Sequence, residues 1–215
     1  MKIVGFIASL LVSFLTFGQQ SYYFSSPVPS EQTIVNTTEK NLFGEYSSDV
    51  ATRVYEISAD GIYIITTSIS SISRELVRES SKYDVRNNML YGLLDKDSVP
   101  CVLKGEVYYF GVKNKDILID ASSMNKLTQI SATEYIINYY EDGLYVPAKM
   151  TFLGNTLTIE ELDYENDTRI FNRVSSKETI PNDYFELIVL NPTEDEFAKL
   201  MKKGIFDSPQ TFKRK

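Results

Sequence analysis

From Phe43 onward the apolar residues come in short runs, alternating with polar ones and broken by turn pairs roughly every 8 to 12 residues. Alternation of period two sends successive side chains to opposite faces of a strand, so this texture predicts an all-β, antiparallel domain over residues 43–175. It closes as a barrel or packs as a β-sandwich. In RVYEISADGIYIITTSI the Asp60-Gly61 pair suits a type I′ turn, which sets Ile57 opposite Ile64 and Tyr55 opposite Thr66. VLKGEVYYFGVKNKDILIDA continues the pattern, with turns expected at Lys104-Gly105 and around Asn114.

Residues 134–174 allow register to be counted. Two-residue turns at Asp142-Gly143, Gly154-Asn155 and Asn166-Asp167 pair Phe152 with Leu157, Met150 with Ile159, Thr151 with Thr158 and Lys149 with Glu160. The third turn then brings Glu160 opposite Arg173 and Ile159 opposite Val174. A core row (Met150, Ile159, Val174) and a solvent row of alternating charge (Lys149, Glu160, Arg173) follow from the same count.

Two segments depart from this pattern. Residues 19–42 are rich in Ser, Thr and Pro with no sustained apolar period, and read as an extended leader or linker. Residues 176–215 form a C-terminal extension holding one predicted α-helix over 193–204. Thr193 and Glu196 make a capping box, Glu194 and Asp195 sit in the first turn, Lys202 and Lys203 in the last, and Gly204 follows. Phe197, Leu200 and Met201 give that helix an apolar face to dock on the β domain.

The opening MKIVGFIASLLVSFLTFGQQ has a basic Lys2, an apolar stretch too short for a bilayer and small residues before Gln19. It reads as a signal peptide, residues 1–18, cleaved after Gly18 to give a periplasmic or secreted product with no stable membrane span. The single cysteine, Cys101, lies far from that cut, which argues against a lipoprotein; in VPCVL it reads as a buried strand residue. The net charge of −7 and the scattered Lys and Arg argue against nucleic acid as a partner.

No histidine occurs, which removes the commonest general base, Ser-His and Cys-His pairs and the usual zinc and copper sites. No cofactor or metal is expected. Carboxylate chemistry is what remains, and Glu106, Glu134, Glu160 and Glu161 are the acids a glycoside hydrolase would draw on. The acidic run ELDYENDTRIF places Asp163, Glu165 and Asp167 on alternate positions, yet an EF-hand-like loop would need Gly at Thr168 and Glu at Val174. A hairpin turn is the reading that fits.

The pieces LFGEYSS, SADGIYI and NTLTIEELDYENDTRIFNRV are similar to the bacterial lipocalin-like branch of the calycin β-barrels. The resemblance implies an antiparallel meander closing into a barrel, with Gly44 and Tyr46 in place of the family's Gly-x-Trp signature and Arg173 as the closing basic residue. It implies a cup for a small apolar ligand. Aromatic residues to line such a cup are Tyr108, Phe110, Tyr139 and Tyr145, with Tyr108 and Phe110 on one strand face and Tyr109 on the other. The function expected is therefore a non-enzymatic, exported protein that binds a small apolar ligand or a protein of the cell envelope. The alternative is a structural envelope protein whose barrel is filled with side chains.

Overall fold

The structure, a computed structural model, describes residues 19–30, 33–49, 53–93, 98–163, 168–181 and 185–215. The segment read as a signal peptide lies outside them, as do Glu165 and the Asn166-Asp167 pair. The strands are, in chain order, β1 Gln19–Phe24, β2 Ile34–Val35, β3 Gly44–Ser47, β4 Arg53–Ser58, β5 Gly61–Ser73, β6 Asp84–Arg86, β7 Met89–Tyr91 and β8 Val99–Lys104. They continue with β9 Val107–Ile119, β10 Lys126–Gln129, β11 Glu134–Glu141, β12 Leu144–Leu153, β13 Thr156–Leu162, β14 Lys177–Pro181, β15 Phe185–Leu190 and β16 Phe206–Arg214. Among the described residues three α-helices interrupt them, α1 Arg74–Glu79, α2 Thr168–Phe171 and α3 Glu194–Lys202, beside a single 3-10 turn at Lys40–Leu42.

The fold is mostly antiparallel β, as the alternation predicts, and its strands join in one open sheet rather than a closed barrel. The order is β14-β15-β1-β12-β13-β16-β3-β4-β5-β9-β8-β7-β6, with β11, β10 and β2 branching from β12. One pairing, β1 with β15, is parallel.

The counted register of the 134–174 region holds through the second hairpin, as far as Glu160. Asp142 (φ 48°) and Gly143 (φ 93°) form the left-handed turn of the β11–β12 hairpin, and β12 pairs Lys149 with Glu160, Met150 with Ile159 and Phe152 with Leu157. The third pairing is different. The next element described after Leu162 is the short helix α2, and the neighbour of β13 is β16, so Leu157 faces Phe212 and Ile159 faces Gln210. Arg173 and Val174 follow α2 and take no part in the sheet. The strand that completes this row comes from 50 residues further along, which local turn counting does not reach.

Gly61 corrects the other hairpin. The β4–β5 turn is Ala59-Asp60, so Ile57 pairs with Ile62 and Tyr55 with Ile64. Gly61 is the first strand residue, at φ +147°, where an added Cβ would stand 2.1 Å from the carbonyl oxygen of Ile119. Its need is close approach of backbone, not turn formation. In the same way the β8–β9 turn sits at Gly105-Glu106, and Asn114 lies inside β9 opposite Thr66. β5 and β9 therefore run together for 13 residues each, about 40 Å at the usual rise of a strand, and form an arm beyond Thr66, the last residue described as paired with β4.

Three packed clusters hold the chain. The first joins Tyr46, Tyr55, Tyr135, Phe152, Phe212 and the aliphatics between them across the body of the sheet. The second lies under α3 and joins Tyr22 and Phe24 of β1 to Leu162, Phe171, Ile188, Phe197 and Leu200. The third is small and holds the far end of the arm: Ile72, Leu90, Cys101 and Phe110. β1 thus corrects the leader reading, since Tyr22 and Phe24 are fully buried and the strand lies between β15 and β12. β16 likewise makes the C-terminal segment part of the sheet rather than an appendage. The capping box on α3 is present as read, with Thr193 and Glu196 each bonding the other's backbone.

Candidate functional site

The four aromatic residues read as cup lining go to three separate places. Tyr139 sits against the first cluster, Tyr145 against the second, and Tyr108 and Phe110 against the third. Tyr108 and Phe110 do share a face, and Tyr109 is turned outward at 40% exposure. Burial pushes the Tyr139 hydroxyl well above its ordinary range, with Tyr55 and Glu161 adding to the shift. No common cup gathers these rings, because Tyr108 and Phe110 lie at the start of β9, at the far end of the arm, whereas Tyr139 and Tyr145 lie on β11 and β12.

The aromatic side chains of the first cluster pack against one another. Tyr46, Tyr135 and Phe152 meet edge to face, with ring centroids 5.6 and 5.9 Å apart, and Tyr55 meets Phe212 at 4.9 Å. Tyr46 donates its hydroxyl to the Leu42 carbonyl at 2.8 Å. The basic group beside Gly44 and Tyr46 is Arg214 of β16, not Arg173. Its guanidinium bonds the carbonyls of Asn41 and Phe43, and a Cβ on Gly44 would come within 2.8 Å of its Nε. Arg173 instead lines a groove of about 190 Å³ between α2 and α3.

The proposed acids are engaged with partners of their own. Glu134 and Glu160 flank Lys149 at 3.7 and 3.4 Å, Glu161 accepts from Gln210 at 3.4 Å, and Glu106 faces Arg74 at 3.5 Å. No cluster of acids, Cys and His suited to a metal ion occurs among the described residues, and Asp163, the described member of the acidic run, uses its backbone N–H to bond Ile205. Cys101 is buried on β8 as expected, and burial pushes its thiol up.

A cleft of about 1070 Å³ lies at the head of the arm between α1, β6 and the start of β9. Ser73 builds it. This residue ends β5, and its hydroxyl accepts the Leu76 N–H at 3.1 Å to start α1. The Arg74 N–H bonds the Glu106 carbonyl at 2.8 Å, which ties the helix to the β8–β9 turn. Asn87 (φ 50°) and Asn88 (φ 59°) then turn β6 back onto β7.

Arg74, Arg78 and Arg86 line the cleft together with Glu75, Asp84 and Glu106. Arg74 is paired with Glu106 and Arg86 with Asp84, all at side-chain exposures near half or more. Exposed pairs of this kind contribute little to folding and exchange partners readily. Tyr83 and Tyr108 line the same cleft while packing against the third cluster. The signal for this site is present in SISRELVRESSKYDVR, which holds three of the chain's arginines in 13 residues. Only the crossing of α1 from the end of β5 to β6 makes them neighbours.

No family model, no curated protein and no solved structure matches this chain. No helix among the described residues is long and apolar enough to cross a membrane.

Proposed function

We propose that the protein is an exported, non-enzymatic binding module of calycin-like descent, in which the curved body is a scaffold and the head of the β5–β9 arm engages the ligand. The carrying observation is a contrast: the body is packed by Tyr46, Tyr55, Tyr135, Phe152 and Phe212, whereas the head holds an open polar cleft. Small apolar ligands are bound in largely preformed apolar cavities that surround them, and a filled interior offers none. The juxtaposition of Gly44, Tyr46 and Arg214 supports the lipocalin-like reading, with Arg214 in the role first assigned to Arg173. Engagement of Glu134 and Glu160 by Lys149 supports binding over carboxylate catalysis.

Amide chemical-shift mapping tests the proposal, using a fatty-acid probe such as cis-parinaric acid beside polar probes. The expected result is no saturable uptake of the fatty acid and ligand-dependent shifts at Tyr83, Tyr108 and their neighbours. Stoichiometric uptake with shifts at Tyr46 and Phe152 would restore the interior cup and sink the head reading. The same packed interior also supports a second reading, a structural envelope protein without a ligand, which a head unresponsive to every probe would favour.

A further inference from the structure

We infer that the head cleft takes a neutral oligosaccharide chain, a reading that rests on the head being the binding site. The first reason is charge. The protein carries −7 overall, but the cleft is lined by three guanidinium groups and three carboxylates, a local balance of zero. A polyanion needs unopposed cations and a polycation needs unopposed acids, and this lining serves neither.

The second reason is the kind of hydrogen bonding on offer. Arg74 beside Glu106, and Arg86 beside Asp84, place donors next to acceptors in exposed pairs that open readily to a ligand. A sugar hydroxyl donates and accepts at once, so vicinal hydroxyls satisfy such a pair while leaving neither charge stranded. The serines at 73, 80 and 81 add groups of the same dual character.

The third reason is shape and surface. The cleft exceeds the ~300–1,000 Å³ of sites that enclose drug-sized molecules, and it lies open at the surface, which suits a chain lying across it. Tyr83 and Tyr108 have their bodies anchored by the third cluster, so their aromatic surface stays fixed for contact with the C–H face of a pyranose. Addition of a peptide strand at the terminal β6 is less well served, because that strand has only three residues and two are charged.

The test is isothermal titration of the mature chain with cellohexaose, laminarihexaose, xylohexaose and chitohexaose, and with polygalacturonate and poly-glutamate as anionic probes, followed by amide shift mapping. At least one neutral hexasaccharide is expected to bind and to shift Tyr83 and Tyr108. Arg74→Ala and Arg78→Ala, both at exposed positions that leave the third cluster intact, should each weaken it about tenfold. Lys199→Ala, on α3 and far from the head in the fold, should leave affinity unchanged. Binding undiminished by both arginine variants overturns the inference. If only the anionic probes shift the head, the oligosaccharide is wrong while the head remains the binding site. Saccharide-dependent shifts at Tyr46 and Phe152 instead would overturn both readings.

Discussion

Asn138 offers the sharpest test of how the N-terminal segment is held. It is fully buried on β11, and its carboxamide acts as a substitute strand edge: Oδ1 accepts the Val28 N–H at 2.9 Å and Nδ2 donates to the Val28 carbonyl at 3.0 Å. Nδ2 also lies 3.4 Å from Thr128 Oγ1. Val28 is itself only 2% exposed, so removing the amide leaves its two backbone groups buried without this partner. Each buried, unsatisfied group costs about 1–3 kcal/mol, which puts Asn138→Ala at about 2–6 kcal/mol, a large part of a typical domain's stability. Asn138→Asp should be as damaging at neutral pH, since a carboxylate oxygen then faces the Val28 carbonyl. Protonation restores a donor there, so its deficit should shrink as the pH is lowered. Urea unfolding followed by tyrosine fluorescence and far-ultraviolet circular dichroism gives the free energies. Hydrogen exchange should show lost protection at Val28 and along β1. A change below about 0.5 kcal/mol for Asn138→Ala, or full retention of protection at Val28, would refute the argument.

Three further outcomes are expected. Gly61→Ala should lose on the order of 2–4 kcal/mol in the same unfolding assay, because it combines a positive φ with a Cβ driven into the Ile119 carbonyl; a neutral effect would show that β5 and β9 separate easily here. Glu196 is held at about 2, first by the Thr193 backbone N–H and then by Ser175, against an ordinary 4.5. The carboxylate's contribution is therefore present above pH 4.5 and lost as pH falls toward 2, and Glu196→Gln should flatten that part of the stability-against-pH curve. Burial raises the hydroxyls of Tyr46, Tyr55, Tyr135 and Tyr139 above the ordinary 10.0. The folded state then keeps protons that the unfolded chain releases, so stability should fall as pH rises past 10, with phenolate absorbance appearing together with unfolding; early, independent ionisation of all 15 tyrosines would contradict it.

Alternation and turn chemistry determined the antiparallel β character, the Asp142-Gly143 and Gly154-Asn155 hairpins with their register, the burial of Cys101 and the capped helix α3. These are decided within about twenty residues, where the backbone preferences of Gly, Asn and Asp and the period of two act directly. Tertiary structure alone decided that Leu157 meets Phe212 rather than a residue near 174, that Arg214 rather than Arg173 lies against Gly44 and Tyr46, and that the Ser- and Pro-rich start supplies an inner strand. Each depends on which distant segment wins a sheet edge. That competition is settled by summed burial across the whole core, and no local pattern records it. The head cleft belongs to the same class: its arginines are visible in the sequence, but their convergence with Glu106 and Tyr108 needs the arm to bring residue 74 back beside residue 106.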